Sequence, residues 1–302
     1  MRGVRKPSWV FPKTQDFAAA HAVRRLMREL RLATVCESAR CPNRGECFGA
    51  GTATFLILGE VCTRRCGFCA IAKGQLGPPD PDEPAAVAAA VRRLGLSYAV
   101  VTSVTRDDLA DGGASQFAET IRAIRGIDTE DLRPRGVAAP RCAGVLVEIL
   151  VPDFAGSAGA LETVLAAGPA VLNHNLETVP RLYPSVRPGA VYDRSLALLR
   201  RAREIALAIP TKSGLMVGFG EQIDEVVAVM HDLAAAGVAA LTIGQYLQPG
   251  RESLPVERYW LPEEFAALEQ AGRAAGIAQV TAGPLVRSSY RAREAYHHGA
   301  GC

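Results

Sequence analysis

Residues 54–69 read TFLILGEVCTRRCGFC, an apolar run closed by glycine and then three cysteines within eight positions. TFLILG (54–59) has the length and aliphatic character of a buried strand ended by a turn residue. Cys62, Cys66 and Cys69, spaced C-x3-C-x2-C, occupy the loop that follows. Thiolates packed this closely repel one another unless a cation neutralises them, and cysteine thiolates are the ligands of iron–sulfur clusters, four when fully ligated. Three ligands leave one iron open, as a catalytic metal site keeps a free position.

Working outward from that strand, further strand patterns fall at 98–103, 145–151, 170–174, 213–218 and 239–245. Helical patterns follow at 83–94, 114–125, 157–167, 193–208, 221–236 and 262–275. Strands separated by helix-length connections predict a parallel sheet covered by helices, because parallel strands need long crossovers. The expected fold class is α/β, a partial (β/α)6 TIM-type barrel, two units short of the closed eight-fold form. Active sites of such folds lie at the C-terminal ends of the strands, which is where the cysteine loop sits. Upstream, Phe17 to Ala33 places Val23, Leu26, Met27 and Leu30 at helical spacing among Arg24, Arg25, Arg28 and Arg31, an amphipathic helix. Residues 127–143 (IDTEDLRPRGVAAPRCA) fit no repeat and read as a surface insertion.

The 302 residues are 49% hydrophobic and 22% charged, material for a large core and unlike a disordered chain. Apolar runs break well before the ~18 residues of a membrane span, and the N-terminus lacks the apolar core of a secretory signal. A cytoplasmic protein is expected. Eight cysteines in that compartment favour metal binding over disulfides. Structural zinc usually takes cysteine pairs rather than triplets, and Cys142 and Cys302 have no partner at ligand spacing. A net charge of +3 argues for no nucleic acid, but residues 1–40 carry nine Lys or Arg against Asp16, Glu29 and Glu37. Such a stripe either steers an acidic partner or is a solvated helix face whose arginine stems cover apolar surface.

A second triplet, Cys36, Cys41 and Cys47 in TVCESARCPNRGECF, precedes the first, and GPLVRSSYRA (283–292) lies near the C-terminus. The C-x3-C-x2-C loop resembles that of the radical S-adenosylmethionine (SAM) superfamily. The double triplet with RSSY resembles more narrowly the lipoyl synthases, as do VTSVTRDDLADGGA (101–114), NHNLETV (173–179), KSGLMVGFGE (212–221) and PVERYWLPEEF (255–265). The likeness covers about residues 35 to 292. It implies two 4Fe-4S clusters and SAM, the latter chelated by the open iron of the Cys62–Cys66–Cys69 cluster and cleaved to a 5′-deoxyadenosyl radical. Cys36, Cys41 and Cys47 are implied to hold the auxiliary cluster, with a fourth ligand from RSSY, Ser289 before Ser288. A serine is a harder, poorer match to iron than a thiolate, suiting a cluster sacrificed to give two sulfur atoms to C6 and C8 of an octanoyl chain. Taken alone, Ser288 and Ser289 read as a helix N-cap.

Three parts are then expected: an N-terminal extension with the basic helix and auxiliary cysteine loop (1–50), the radical SAM barrel (51–280), and a C-terminal segment with RSSY (281–302). Cys62, Cys66, Cys69 and Ser289 carry the chemistry. Ser103, Asn175, Glu177 and Gln245, at strand ends, read either as polar contacts to SAM or as barrel-mouth residues bonding loop backbone, and Arg64 and Arg65 either offset cluster charge or face solvent. His174 reads as a satisfied core histidine, and 182–192 (LYPSVRPGAVY) either seats the acyl-lysine or shapes a turn. Implied partners are octanoylated lipoyl carrier domains, of the glycine cleavage H protein or 2-oxoacid dehydrogenase E2 type, and an electron donor such as flavodoxin or ferredoxin, with no membrane. The alternatives are another radical SAM sulfur-inserting enzyme, or a non-catalytic iron–sulfur or zinc carrier.

Overall fold

The computed structural model describes residues 5–11, 17–49, 53–128, 144–290, 292–294 and 296. The basic helix α1 (Phe17–Glu29) leads through β1 (Ala33–Thr34) into two short helices, α2 (Val35–Ser38) and α3 (Arg44–Gly49). Six βα units follow. They are β2 (Thr54–Ile57) with α4 (Glu83–Leu94), β3 (Tyr98–Ser103) with α5 (Ala114–Arg125), and β4 (Leu146–Leu150) with α6 (Ala158–Ala166). After β5 (Val171–Asn173) come the short α7 (Tyr183–Val186) and α8 (Tyr192–Ile205), then β6 (Thr211–Val217) with α9 (Ile223–Ala235) and β7 (Ala240–Gln245) with α10 (Pro262–Ala274). A last strand, β8 (Gln279–Gly283), completes an eight-stranded sheet in the order β1 to β8.

The six predicted units stand, and two strands add to them. β1 is two residues long and pairs antiparallel with β2, whereas β2 to β8 are parallel. β8 escapes a pattern search because Val280 is its one buried residue. Helix α1 ends four residues before Ala33: Arg31 adopts a left-handed φ of 55° and the Leu32 N–H returns to the Met27 carbonyl at 2.8 Å, a common helix stop. Of the 127–143 insertion, Ile127 is buried, and 129–143 lie outside the described residues, as do Cys142 and Cys302.

Both faces of the sheet are covered, so β2 is buried along its whole length. One face (Phe55, Ile57, Ala99, Val101, Ile149, Leu172) joins the main core with the helices. The other lines the barrel interior and is partly polar: Glu148 accepts a Tyr98 hydroxyl bond at 2.6 Å and pairs with Lys212 at 2.9 Å, both almost fully buried. The C-terminal segment fills this interior. From the end of β8 it passes Gly244 and Gly214, reaches Thr54, and packs Ala292 and Tyr296 against Tyr98 and Val100 near the floor. No helix is long and apolar enough to cross a membrane among the described residues.

Candidate active site

The first cysteine loop is laced to the strand ends by its backbone. Cys62 N–H bonds the Ala72 carbonyl (3.1 Å), Thr63 N–H the Thr105 carbonyl (3.0 Å) and Gly67 N–H the Val186 carbonyl (2.9 Å), while Leu254 N–H bonds the Gly67 carbonyl (2.8 Å). The Thr105 amide also points at Cys62 Sγ, 3.3 Å away. Residue 67 has to be small, because a Cβ there would lie 2.7 Å from Leu254 Cδ1. Burial pushes the Cys66 thiol up to about 11; Arg187 opposes the rise, and Cys69, Glu177 and Cys62 add to it. Cys69 moves the same way, again chiefly through burial. Such crowded thiols ionise when a cation replaces their protons.

Arg64 does not face the cluster position as a free charge. Its fork holds Asp107 (2.9 and 2.8 Å) and one nitrogen also reaches Asp153 (2.5 Å). Burial works against this guanidinium, but the two carboxylates outweigh it and hold its charge above the ordinary range. The cations that act on the cysteines are instead Arg187, on Cys66, and Lys73, on Cys69, while Arg65 is exposed.

Beyond β5, Asn175 and Glu177 converge on the same mouth. Glu177 sits at a φ of +67°, costly for a non-glycine residue and typical of functional sites. It is held there as a parallel bridge to Leu215, with Glu177 N–H on the Gly214 carbonyl and Met216 N–H on its own. Burial raises its carboxyl, opposed by Arg187, by an Asn175 amide bond of 3.1 Å and by Arg287. Arg187, read in the sequence only as part of the 182–192 loop, is buried and donates to the carbonyls of Asn175 (3.0 Å) and Leu176 (3.1 Å) and to Tyr183 Oη (3.1 Å). It follows the proline-containing turn of α7.

Gln245 and Ser103 are placed differently: Gln245 bonds loop backbone, the other of its two sequence readings, and the buried Ser103 Oγ has no partner among the described residues. The Gln245 amide is spent internally, donating to the carbonyls of Val217, Tyr246 and Arg258 and accepting Trp260 N–H at 2.8 Å. It braces β7 against the following loop. Strand alternation sets Ser103 with Ala99 and Val101 on the helix-facing side. His174, expected to be satisfied, is satisfied at one nitrogen only: Nδ1 contacts the Val151 carbonyl at 2.8 Å and buried Nε2 has no partner. Burial, then Arg187, lowers its pKa to about 4.

The second triplet is built from two segments far apart in sequence. Thr34 caps α2, which carries Cys36, and Cys41 N–H bonds the Cys36 carbonyl at 3.0 Å. Burial, with Cys41 adding to it, pushes the Cys36 thiol up to about 11, while the backbone and side chain of Thr54 hydrogen-bond to it and pull it down. Asn43 donates to the Leu285 carbonyl (2.6 Å), Tyr290 to Glu46 (3.0 Å), and Thr54 to Ser289 Oγ (2.9 Å). Ser288 instead accepts from Asn175 at 2.6 Å. Arg287 lies within electrostatic reach of both Cys41 and Glu177, which counter the burial that lowers it. RSSY thus runs between the two triplets. Glycine at 244 and 214 makes room, since Cβ atoms there would meet the Val286 carbonyl at 2.1 Å and Asn175 Oδ1 at 2.7 Å.

The donor set suits a SAM-binding cluster. Three buried or half-buried thiols share the mouth with a cation, a carboxyl and the partnerless Asn175 Oδ1. Among the described residues no three His, Cys, Asp or Glu side chains converge on a single ion; a cluster asks less, because each thiolate takes a different iron. Phe68, Phe219, Tyr246 and Leu254 wall one side of the loop with apolar surface, which excludes water from a reactive centre.

Comparison with known proteins agrees. The sequence model of the Radical SAM superfamily matches residues 56–233. A lipoyl synthase of Xylella fastidiosa is 51% identical over 292 residues, covering 96% of this chain and 74% of the relative. One of Rubrobacter xylanophilus is 52% identical over 289 residues, covering 96% and 86%. Among solved structures, methylornithine synthase superposes with a TM-score of 0.52 at 15% identity, over 87% of this chain and 81% of that one. HydG, a maturase of the FeFe hydrogenase, gives 0.55 at 13%, over 95% and 64%. At those identities the structures speak for the fold alone; the sequence relatives and the superfamily model place this chain in the lipoyl synthase family of the radical SAM superfamily.

Proposed function

We propose that the chain inserts sulfur at C6 and C8 of an octanoyl-lysine on a lipoyl carrier domain, with Cys36, Cys41, Cys47 and Ser289 holding an auxiliary 4Fe-4S cluster that is the sulfur source. The observation that carries the reading is the split of RSSY: Ser289 shares Thr54 with Cys36, whereas Ser288 bonds Asn175 on the SAM side. That split favours the half-buried Ser289 over Ser288 as the fourth ligand. When bound, SAM and its cluster supply hydrogen-atom abstraction, and the auxiliary cluster supplies sulfide.

The protein's own work is binding, orientation and exclusion of water. Cys62, Cys66 and Cys69 hold the first cluster. Asn175, Glu177 and Arg187 present an amide, a carboxyl and a guanidinium to the polar ends of SAM, the guanidinium matching its carboxylate. Arg287, within electrostatic reach of Cys41 and Glu177, places a buried cation between the two triplets. The organisation into 1–50, 51–280 and 281–302 follows this labour, since the outer parts build the sulfur site and the middle part builds the radical site. The exposed Arg25, Arg28 and Arg31 of the N-terminal helix region suit an acidic carrier domain, and exposed Arg65 suits a flavodoxin- or ferredoxin-type donor.

The test is anaerobic incubation with SAM, a reductant and an octanoyl-lysine peptide, read by mass spectrometry. The wild type is expected to give the dithiolated peptide and 5′-deoxyadenosine. The Cys36→Ala, Cys41→Ala, Cys47→Ala triple variant should still form 5′-deoxyadenosine and no thiolated peptide. Thiolation at the wild-type rate in that variant overturns the proposal.

A further inference from the structure

We propose that Arg64 is a positioning residue for the first cluster, fixing the loop between Cys62 and Cys66 through Asp107 and Asp153 without touching iron. The inference rests on Cys62, Cys66 and Cys69 being that cluster's ligands. Arg64 is one of two arginines in the C-x3-C spacer and the two are placed oppositely. Arg65 is exposed, whereas the Arg64 side chain is 9% exposed and makes three short charge-assisted bonds. A fork to one carboxylate with a third bond to another fixes a guanidinium in position and plane.

The receiving groups are built for it. Asp153 is wholly buried and follows β4. Phe154, Ala155 and Gly156 after it take φ values of 47°, 51° and 87°, and the first two are strained for residues with a Cβ. Such strain survives only where the surroundings over-determine it. Here the turn is closed by Ala155 N–H on Asp153 Oδ1 (3.1 Å) and Gly156 N–H on the Asp153 carbonyl (2.8 Å), and its result is a buried carboxylate held toward the loop. Apart from Arg64, its one cationic contact is the longer one to Arg194, at 3.4 Å. Asp107 stands two residues after Thr105, which donates to Cys62 Sγ and accepts from Thr63. One side chain therefore ties the ends of β3 and β4 to the middle of the spacer. A loop held in its ligand-bearing shape loses less freedom on taking up metal, and outer partners of ligands commonly govern metal retention.

The experiment uses the reconstituted full chain and compares wild type, Arg64→Gln, Arg64→Lys and Asp107→Asn. It reads iron release to an added chelator, the EPR spectrum of the reduced cluster with and without SAM, and thermal stability. In Arg64→Gln, first-cluster iron is expected to leave on the order of 10-fold faster and the SAM-dependent EPR change to weaken. Arg64→Lys, with one donor direction in place of a fork, should recover part of both. Asp107→Asn, a partly exposed position that leaves the buried Asp153 pair intact, should fall between wild type and Arg64→Gln. Iron retained at the second triplet and an unchanged Tm should accompany these effects. Wild-type lability and EPR in Arg64→Gln overturn the proposal. So does equal iron loss from both triplets with a lowered Tm, when Asp107→Asn behaves as wild type. If Cys62→Ala releases iron like wild type, the ligand assignment has failed instead.

Discussion

The two cysteine loops carry the same ligand type in the same number, yet they are held in opposite ways. Cys62, Cys66 and Cys69 sit on a rim loop whose backbone is bonded to Thr105 after β3, Val186 at the end of α7 and Leu254 after β7. Cys36, Cys41 and Cys47 sit ahead of the barrel and depend on a segment more than 200 residues further along, through Asn43–Leu285, Tyr290–Glu46 and Thr54–Ser289. The first triplet is thus held by the repeat architecture, and the second by two segments far apart in sequence that meet at the barrel.

The sharpest way to break the comparison is to push the C-terminal segment out. Gly244→Ala sets a Cβ 2.1 Å from the Val286 carbonyl, a backbone atom with little room to yield. Sulfur insertion should fall on the order of 100-fold, as misplacement of about an ångström does, with 5′-deoxyadenosine formation spared; product ratios by mass spectrometry decide it. Gly67→Ala should instead touch the first loop, and more mildly, because the atom it meets at 2.7 Å is the end of a Leu254 side chain.

Acid should separate the regions next. His174, behind the first site, titrates near 4 when folded because burial and then Arg187 oppose its charge. The folded value lies below the unfolded one of ~6.5, so this stabilisation is present above pH ~6.5 and is lost as pH falls toward about 4. The loss is on the order of 3 kcal/mol. Urea midpoints across that window should show it, and His174→Gln should flatten the slope.

A smaller effect belongs to the second loop. Asn43→Ala removes the 2.6 Å bond to the Leu285 carbonyl, costing roughly 1–2 kcal/mol. Hydrogen exchange should rise at 285–290 and stay unchanged at 62–69. The smallest change is far from both loops. Glu225 is held at about 2, first by its bond to Arg181, so its stabilisation is present above pH ~4.5 and lost as pH falls toward 2. Both partners are solvent-accessible, so Glu225→Gln should cost under about 1 kcal/mol at neutral pH, with iron content at both triplets unaltered.

Much of this was legible residue by residue. The helices at 83–94 and 114–125 fall on the same residues in sequence and structure, because one face of each is apolar at helical period and the ends are marked, Gly95 by a left-handed cap. Asn175 and Glu177 stand, as the repeat predicts, just past a strand end in a fold whose sites lie there. Gln245 stands at an equivalent place, and the reading of it as a mouth residue bonded to loop backbone is the one its geometry matches, with partners as far as Val217 and Trp260. Arg64 fits neither of its two readings, because its partners, Asp107 and Asp153, lie 43 and 89 residues away.

By itself the sequence determined the strand and helix repeat, the radical SAM loop and the class of cofactor it suits, all of which depend on neighbours within a turn or a loop. Tertiary structure alone decided which serine of RSSY faces which triplet, that Arg287 stands between them, and that Arg64 is spent on carboxylates. Periodicity and spacing are local quantities, whereas side-chain partners are chosen only when the sheet curls and brings residues such as Glu46 and Tyr290, 244 positions apart, within a hydrogen bond.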